Sequence, residues 1–184
     1  MQNKIFYSDE ELFQCIKNGD VHALKILFEK YYSPLCHFAF KFVKSKDYAE
    51  EVVSDVFLNI WLKKEKIQIR TNLKTYLYTA VRNQSINHLR QRDIYFEDIE
   101  TADSENAISD LYADKHMTYQ ELEDNIEDLL KQLPEKRQII FRMNRVDGLN
   151  YKEIAEILSI SVHTVQNQMV AAVKFLSRQY PHRK

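Results

Sequence analysis

The apolar residues between positions 49 and 61 recur with the spacing of an α-helix. They fall at offsets 0, 3, 4, 7, 8, 11 and 12, on one face of a helix predicted over about Asp47 to Leu62: Ala49, Val52, Val53, Val56, Phe57, Ile60 and Trp61. The apolar spacing is helical almost throughout, with no long alternating strand pattern, and only 2 Gly and 3 Pro punctuate 184 residues. The sequence therefore predicts an all-α protein.

Capping residues mark where the first helices begin. Ser8 with Glu11 is a capping-box pair, and Asp20 is suited to cap a second helix. Proline suits the first turn of a helix, so we expect the chain to restart at Ser33 and Pro34.

Charge is distributed unevenly along the chain. Residues 1–92 carry 15 Lys and Arg against 10 Asp and Glu, a net of +5, and residues 136–184 carry 9 against 3, a net of +6. Residues 93–135 carry 2 against 14, a net of −12, so the total is only −1. This basic, acidic, basic order predicts two domains that face polyanions. We expect a first domain over 1–92, an acidic linker over 93–120 and a second domain over 121–184, whose first helix ends before Pro134.

Several classes of protein are excluded by what the sequence contains. Two glycines cannot form a Gly-rich phosphate loop. The longest uncharged run, 157–173, is interrupted by Ser, His, Thr, Gln and Asn, so no membrane insertion is expected. No carboxylate pair, Ser/His/Asp set or metal-spaced His/Cys group accompanies His163, and we therefore expect no enzyme, catalytic residue, metal, cofactor or small-molecule substrate. A cytoplasmic location is expected.

A polar stripe is predicted on a helix from about Asn72 to Arg92. At 100° per residue, four of its residues share an arc of about 60°, away from the side that carries its leucines. These residues are Tyr76, Asn83, Asn87 and Arg90.

The run NYKEIAEILSISVHTVQNQMVAAVKFL, residues 150–176, contains two helix starts. Asn150 with Glu153 gives one capping pair, and Ser161 can cap a second helix after a break around Ser159, where a glycine is often found. Counted from Tyr151, the apolar positions 4, 8, 10 and 15 and the small position 5 are typical of a helix-turn-helix: Ile154, Leu158, Ile160, Val165 and Ala155.

The second helix of this motif is predicted to divide into an inward and an outward set. The inward set is Val162, Val165, Met169 and Ala172. The outward set carries groups that can reach base edges and phosphates: His163, Thr164, Gln166, Asn167 and Lys174.

Three stretches together resemble a bacterial RNA polymerase sigma factor of the small extracytoplasmic-function (ECF) group in the sigma-70 family. They are DYAEEVVSDVFLNIW (47–61), NLKTYLYTAVRNQSINHLR (72–90) and the C-terminal helix-turn-helix, in this order and spacing. The resemblance covers about 10–92 as a sigma-2-like helical bundle and 121–178 as a sigma-4-like helix-turn-helix domain. It implies a transcription initiation factor without catalytic activity, and an anti-sigma factor as a partner.

The resemblance implies two contacts with core RNA polymerase, at the basic β′ clamp helices and at the β flap. Glu51 and Asp55 are four residues apart and project from one face of a helix, where opposite charge on a partner would set orientation. Ser54 stands where this family frequently has glutamine. The implied polymerase-binding set is Asp47, Glu50, Glu51, Asp55 and Asn59.

The resemblance also implies two contacts with promoter DNA. The 72–90 helix and the connector before it would read the melted −10 element through Arg70, Tyr76, Arg82, Asn83, Asn87 and Arg90. The helix-turn-helix would read the −35 element as duplex through His163, Thr164, Gln166, Asn167 and Lys174. In that set Gln166 and Asn167 are the candidates for base reading, and Thr164 and Lys174 for phosphate contact.

Two alternatives remain open from the residues. The helix-turn-helix also resembles that of LuxR-type regulators, which would bind a duplex operator without polymerase, although the N-terminal half lacks the alternating β/α pattern of a receiver domain. A helical adaptor without any DNA role is the second alternative. It predicts no salt-dependent DNA binding by the basic C-terminal region.

Overall fold

The computed structural model describes residues 7–96, 130 and 132–179. Its helices are α1 (Asp9–Lys17), α2 (Val21–Val43), α3 (Lys46–Lys63), α4 (Leu73–Phe96), α5 (Glu135–Arg145), α6 (Tyr151–Leu158) and α7 (Val162–Gln179), and these residues contain no strand. The chain divides into two compact units, Met1–Ile94 and Tyr95–Lys184. The predicted all-α fold is confirmed. Residues 97–120 of the predicted acidic linker and residues 121–129 of the helix expected before Pro134 lie outside the described residues.

The start of α1 is tied to α2. The predicted capping box is present: the Ser8 hydroxyl accepts from the Glu11 backbone N–H at 3.2 Å, and the Glu11 carboxylate accepts from the Ser8 N–H at 2.7 Å. Lys30 of α2 donates to Asp9 at 2.6 Å, and the Tyr31 hydroxyl donates to the same carboxylate. Burial, reinforced by the hydrogen bond to Asp9, raises the pKa of Tyr31. Asp9 thereby joins the two helices.

Helix α2 does not restart at Pro34, so that prediction is wrong. It is continuous from Val21 to Val43 with Pro34 inside it. An internal proline loses one backbone hydrogen bond and crowds the preceding turn. Burial on both sides of the proline offsets this cost, since Tyr31, Leu35 and Cys36 are all at most 5% exposed. Burial favours the helix at this position more strongly than the proline disfavours it.

Helix α3 follows its predicted apolar pattern closely. Ser45 caps it, and its buried residues are Ala49, Val52, Val53, Val56, Phe57 and Ile60. Trp61, predicted on the same face, is only half-buried. Its ring instead receives the Lys64 ammonium, 4.1 Å from the ring centroid, which is a cation–π contact.

Helix α4 buries Leu73, Leu77 and Val81 in the core of the first unit. Asn72 caps it by accepting from the Thr75 backbone N–H at 2.8 Å. The helix continues to Phe96, beyond the end predicted near Arg92. The acidic composition suggested an end there, but residues 93–96 include neither Gly nor Pro to stop the helix.

Among the described residues of the second unit, α5 precedes the predicted helix-turn-helix, which is formed by α6 and α7. Its core is formed by buried residues of α5, α6, α7 and the turns between them: Ile140, Met143, Leu149, Ile154, Ala155, Ile157, Val165, Met169 and Ala172. A second cluster joins Leu130 and Leu133 to Ala172, with Phe141, Phe175 and Leu176 packed against it. These contacts hold α7 against α5.

The prediction that Val162 points inward is wrong, and the apolar residues of the motif are unevenly buried. Val162 and Ile160 are each 36% exposed and Leu158 is half-buried, whereas Ile157, which the spacing argument omitted, is fully buried. Ser159 has the left-handed φ of 54°, so α6 ends at Leu158 and the direction of Ile160 no longer follows helical spacing. Val162 is the first residue of α7 and lies about 60° from Val165 around the helix, at 100° per residue.

Candidate nucleic-acid interface and protein-binding face

The outward arc of α4 carries the polar stripe. Asn83, Asn87 and Arg90 are exposed and Tyr76 is half-buried. Burial raises the pKa of Tyr76, so its ring remains neutral and part of its surface is open to a stacking partner. Two amides, one ring and one guanidinium therefore follow one another along a single face. This combination can track an unpaired strand by stacking and by hydrogen bonds to base edges.

Arg82 lies about 80° outside this arc, at 100° per residue, and is half-buried. One of its Nη groups is 3.5 Å from the Asn83 side-chain oxygen, a long contact that brings a positive charge beside the amide. Arg70, in the connector between α3 and α4, is exposed. Both guanidinium groups are available for phosphate contact at the start and middle of the stripe.

The start of α7 is fixed by the Ser161 cap. The Ser161 hydroxyl accepts from the Thr164 backbone N–H at 2.9 Å and lies 2.8 Å from the Thr164 hydroxyl. The five residues predicted to point outward from α7 are all exposed: His163, Thr164, Gln166, Asn167 and Lys174. Four of them fall in the first two turns. A helix whose N-terminal turns are polar and held in place by a cap is suited to reading the major groove.

A basic residue outside the predicted set extends this surface. Arg178 is exposed and lies four residues after Lys174, so at 100° per residue it shares an arc of about 60° with His163, Asn167 and Lys174. The helical spacing of its charge was the signal that could have identified it.

The outward face of α3 differs from both of these surfaces. Asp47, Glu51, Leu58 and Leu62 lie within an arc of about 60° at 100° per residue, and all four are exposed. Leu58 is 55% exposed and Leu62 is 68% exposed. The sequence interpretation missed both leucines because they fall outside the buried spacing of α3. An acidic half followed by an apolar half is suited to a protein partner, since apolar anchors give affinity and charges give orientation.

The other predicted polymerase contacts lie beside this outward face of α3. Asn59 is exposed. Asp55 is half-buried, and its carboxylate accepts from the Gln84 amide of α4 at 3.2 Å. Glu50 faces the α2 side, where burial raises the pKa of the Cys36 thiol to about 11 and the Glu50 charge adds to that rise. The outward acidic charge therefore rests mainly on Asp47 and Glu51.

Within the part of the chain that the structure describes, no three His, Cys, Asp or Glu side chains are grouped so that they could hold a metal ion. The described helices also include none that is both long and apolar enough to cross a bilayer.

Comparison with known families accounts for both units. Residues 27–94 match the family described as sigma-70 region 2, and residues 123–176 match the family described as sigma-70, region 4. The matches cover 68 and 54 residues, or 122 of 184. This chain belongs to the sigma-70 family. The sigma factors to which it is similar are transcription initiation factors and not enzymes.

Similar proteins place this sigma factor in the ECF group. The RNA polymerase sigma-H factor of Pseudomonas aeruginosa is 25% identical over 172 residues, which are 89% of either chain. The ECF RNA polymerase sigma-E factor of Haemophilus influenzae is 25% identical over 180 residues, covering 94% of this chain and 95% of that one. The Bacillus subtilis ECF factor SigW is 24% identical over 172 residues, covering 89% and 92%. The resemblance inferred from the sequence is confirmed.

Two solved structures share the fold. One is the sigma factor RpoE in complex with the anti-sigma factor NepR from Bartonella quintana, at a TM-score of 0.64 and 20% identity, covering 89% of this sigma factor and 100% of that chain. The other is CnrH in complex with the cytosolic domain of CnrY, at a TM-score of 0.59 and 17% identity, covering 96% and 99%. The region 2 match also accounts for residues 27–94, which neither the LuxR-type alternative nor the adaptor alternative explains.

Proposed function

We propose that this sigma factor binds core RNA polymerase and directs it to promoters by reading a −10 element with α4 and a −35 element with α7. The observation that carries the proposal is that each matched region exposes one helix face of base-reading chemistry. On α4 this face holds Asn83 and Asn87, and on α7 it holds Gln166 and Asn167. Two separate readers suit two separated DNA elements.

The −10 contact is assigned to the outward arc of α4 and the connector before it. Asn83 and Asn87 read the edges of unpaired bases, and the half-open ring of Tyr76 stacks on a base. Arg70, Arg82 and Arg90 contact phosphates along the strand.

The −35 contact is assigned to the first turns of α7 in the major groove of duplex DNA. Gln166 and Asn167 carry amides that can pair with base edges, as a Gln or Asn does with adenine. Thr164 and Lys174 contact phosphates, and His163 lies at the rim of this surface.

The polymerase contact is assigned to the outward face of α3. Asp47 and Glu51 steer this face to the basic β′ clamp helices, and Leu58 with Leu62 form the apolar anchor. Glu50, Asp55 and Asn59 flank the contact. A second contact, with the β flap, belongs to the region 4 unit.

An anti-sigma factor is the expected regulator of this protein. The RpoE and CnrH structures that share its fold are complexes, the former explicitly with an anti-sigma factor. Action on core polymerase places the protein in the cytoplasm.

The test is transcription in vitro by core RNA polymerase, with and without this protein, on genomic fragments. Defined start sites that appear only when the protein is added are the expected result. Absence of such start sites, together with failure to co-purify with core enzyme, would overturn the proposal.

The assignment of α3 has its own test. Leu58→Asp should weaken binding to core enzyme by roughly tenfold or more, because a buried apolar anchor is replaced by a charge. Glu10→Lys, at an exposed acidic position of α1, is the control and should bind normally. Equal binding by the wild type and Leu58→Asp would remove the leucines from the interface.

A further inference from the structure

A hydrogen bond joins the first turn of α5 to the middle of α7. The Nε–H of Arg137 donates to the side-chain oxygen of Gln168 at 3.0 Å. Both side chains are half-buried and lie 31 residues apart in sequence. The bond fixes the plane of the guanidinium, because Nε is its innermost donor.

The bond holds Arg137 beside the DNA-reading end of α7. Gln168 follows Thr164 by four residues, so the two lie on one flank of the helix, about one turn or 6 Å apart along its axis. Thr164 is exposed in the first turn and is assigned above to a phosphate. The flank that carries Thr164 and Gln168 therefore continues onto the guanidinium of Arg137.

The bond to Gln168 uses only the Nε–H of Arg137. Arginine has five N–H donors, of which four are on the two Nη groups, and it keeps its charge at all ordinary pH values. Gln168 is neutral, and among the residues described in this unit no carboxylate pairs with Arg137. Among the described residues, the positive charge is therefore positioned without being neutralised. A cation held in this way loses less side-chain entropy when it binds an anion than a mobile one does.

We propose that Arg137 binds a backbone phosphate beside the −35 element through its Nη groups, and that Gln168 is a positioning residue for this contact. The proposal rests on the proposed function, because it requires α7 to lie in the groove of duplex DNA. It adds a contact from α5, a helix to which the sequence interpretation gave no role in binding.

The test is a double-mutant cycle on the full chain in complex with core polymerase, using a promoter that the wild type recognises. Promoter affinity is measured over a range of salt concentrations for the wild type, Arg137→Ala, Gln168→Ala and the double variant. Lys136→Ala is the matched control, since it removes the same charge from the exposed neighbouring position. Thermal unfolding of each variant is measured in parallel.

Arg137→Ala should lower promoter affinity roughly tenfold, because a hydrogen bond to a charged group is lost. It should also make the log–log salt slope shallower by about one, as expected for one lost phosphate contact. Gln168→Ala should cost roughly two- to fivefold at an unchanged slope, and this cost should vanish when Arg137→Ala is already present. Lys136→Ala should change affinity less than twofold.

Three results would overturn the inference while leaving the sigma function intact. The first is an equal loss and an equal change of slope in Arg137→Ala and Lys136→Ala. The second is a Gln168→Ala effect that persists in the Arg137→Ala background. The third is coupling seen only in thermal unfolding, with salt slopes unchanged, which would make the bond a structural tie between α5 and α7. Failure of the wild type itself to recognise any promoter would instead overturn the proposed function.

Discussion

Helices α4 and α7 both present polar faces, but they distribute the polar residues differently. On α4 the residues span four turns, from Tyr76 to Arg90, and the stripe includes a half-buried ring. On α7 the base-reading candidates are only Gln166 and Asn167, which lie within six residues of the Ser161 cap. Beyond them the outward face becomes partly apolar, with Val170 68% exposed and Val173 45% exposed.

This difference matches the two forms of DNA that the helices are proposed to read. A groove in duplex DNA admits only the first turns of a helix, so the rest of α7 is free of that constraint. An unpaired strand can be followed along the whole length of a helix, and stacking on an aromatic ring becomes possible once bases are unpaired. The layout of each face therefore fits the form of DNA proposed for it, and variants that affect one helix should affect one step of initiation.

The largest effect is expected from the core beneath α7. Ile157→Ala removes a fully buried side chain and should destabilise the second unit by about 2–5 kcal/mol, through lost burial and the cavity that remains. The single tryptophan, Trp61, lies in the first unit, so its fluorescence reports on that unit alone. In a urea titration, part of the helical circular dichroism signal should be lost at lower urea, while the Trp61 transition stays in place.

The control for this variant is Ile160→Ala, three residues along the chain. Ile160 is 36% exposed, so its truncation should cost markedly less than that of Ile157. A Trp61 transition that moves together with the circular dichroism signal in Ile157→Ala would show that the units do not unfold separately.

The next largest effects should show that α4 and α7 act at different steps of transcription initiation. Asn83→Ala should reduce strand opening at a promoter, whereas Gln166→Ala should reduce the initial binding of duplex. Each change is worth about 1–3 kcal/mol, or roughly 5- to 150-fold, if the amide makes a paired contact with a base. Initial binding is measured with a competitor challenge, and opening is measured by the permanganate reactivity of unpaired thymines.

Gln14→Ala, at an exposed amide of α1, is the control for both variants and should change neither step. If Asn83→Ala and Gln166→Ala lowered both steps equally, the division of labour between α4 and α7 would be wrong.

The sequence predicted buried positions better than it predicted the residues of exposed surfaces. The spacing of Val52, Val53 and Val56 predicted the buried face of α3, because burial alone determines that pattern. The exposed leucines at 58 and 62 were missed, because the helical spacing of apolar residues identifies only the side chains that are buried. Their role depends on a partner surface that the chain itself does not encode.

Contacts between distant elements were equally out of reach. The bond from Arg137 to Gln168 joins side chains 31 residues apart and depends on how α5 crosses α7. At Pro34 the sequence did give a local signal, but tertiary packing overrode it. Its local preference favours a helix start, but the burial of Leu35 and Cys36 beside it overrides that preference.

The smallest effects concern the turn that sets the direction of α7, and they should have opposite signs. Ser159 adopts a left-handed φ of 54° and ends α6 with a hydrogen bond from the Ile160 N–H to the Ala155 carbonyl at 3.0 Å. The first unit makes the corresponding turn after α1 with Gly19, at φ 88°, and a bond from the Asp20 N–H to the Cys15 carbonyl at 3.0 Å.

Glycine adopts this left-handed conformation without strain, so Ser159→Gly should stabilise the second unit by about 1 kcal/mol. Ser161→Ala removes the cap of α7 and should destabilise the same unit by about 1 kcal/mol. Urea midpoints followed by circular dichroism measure both changes. Since Ser159→Gly leaves every outward residue of α7 in place, it should also leave duplex binding unchanged; weaker binding would mean that the strained turn itself orients the reading helix.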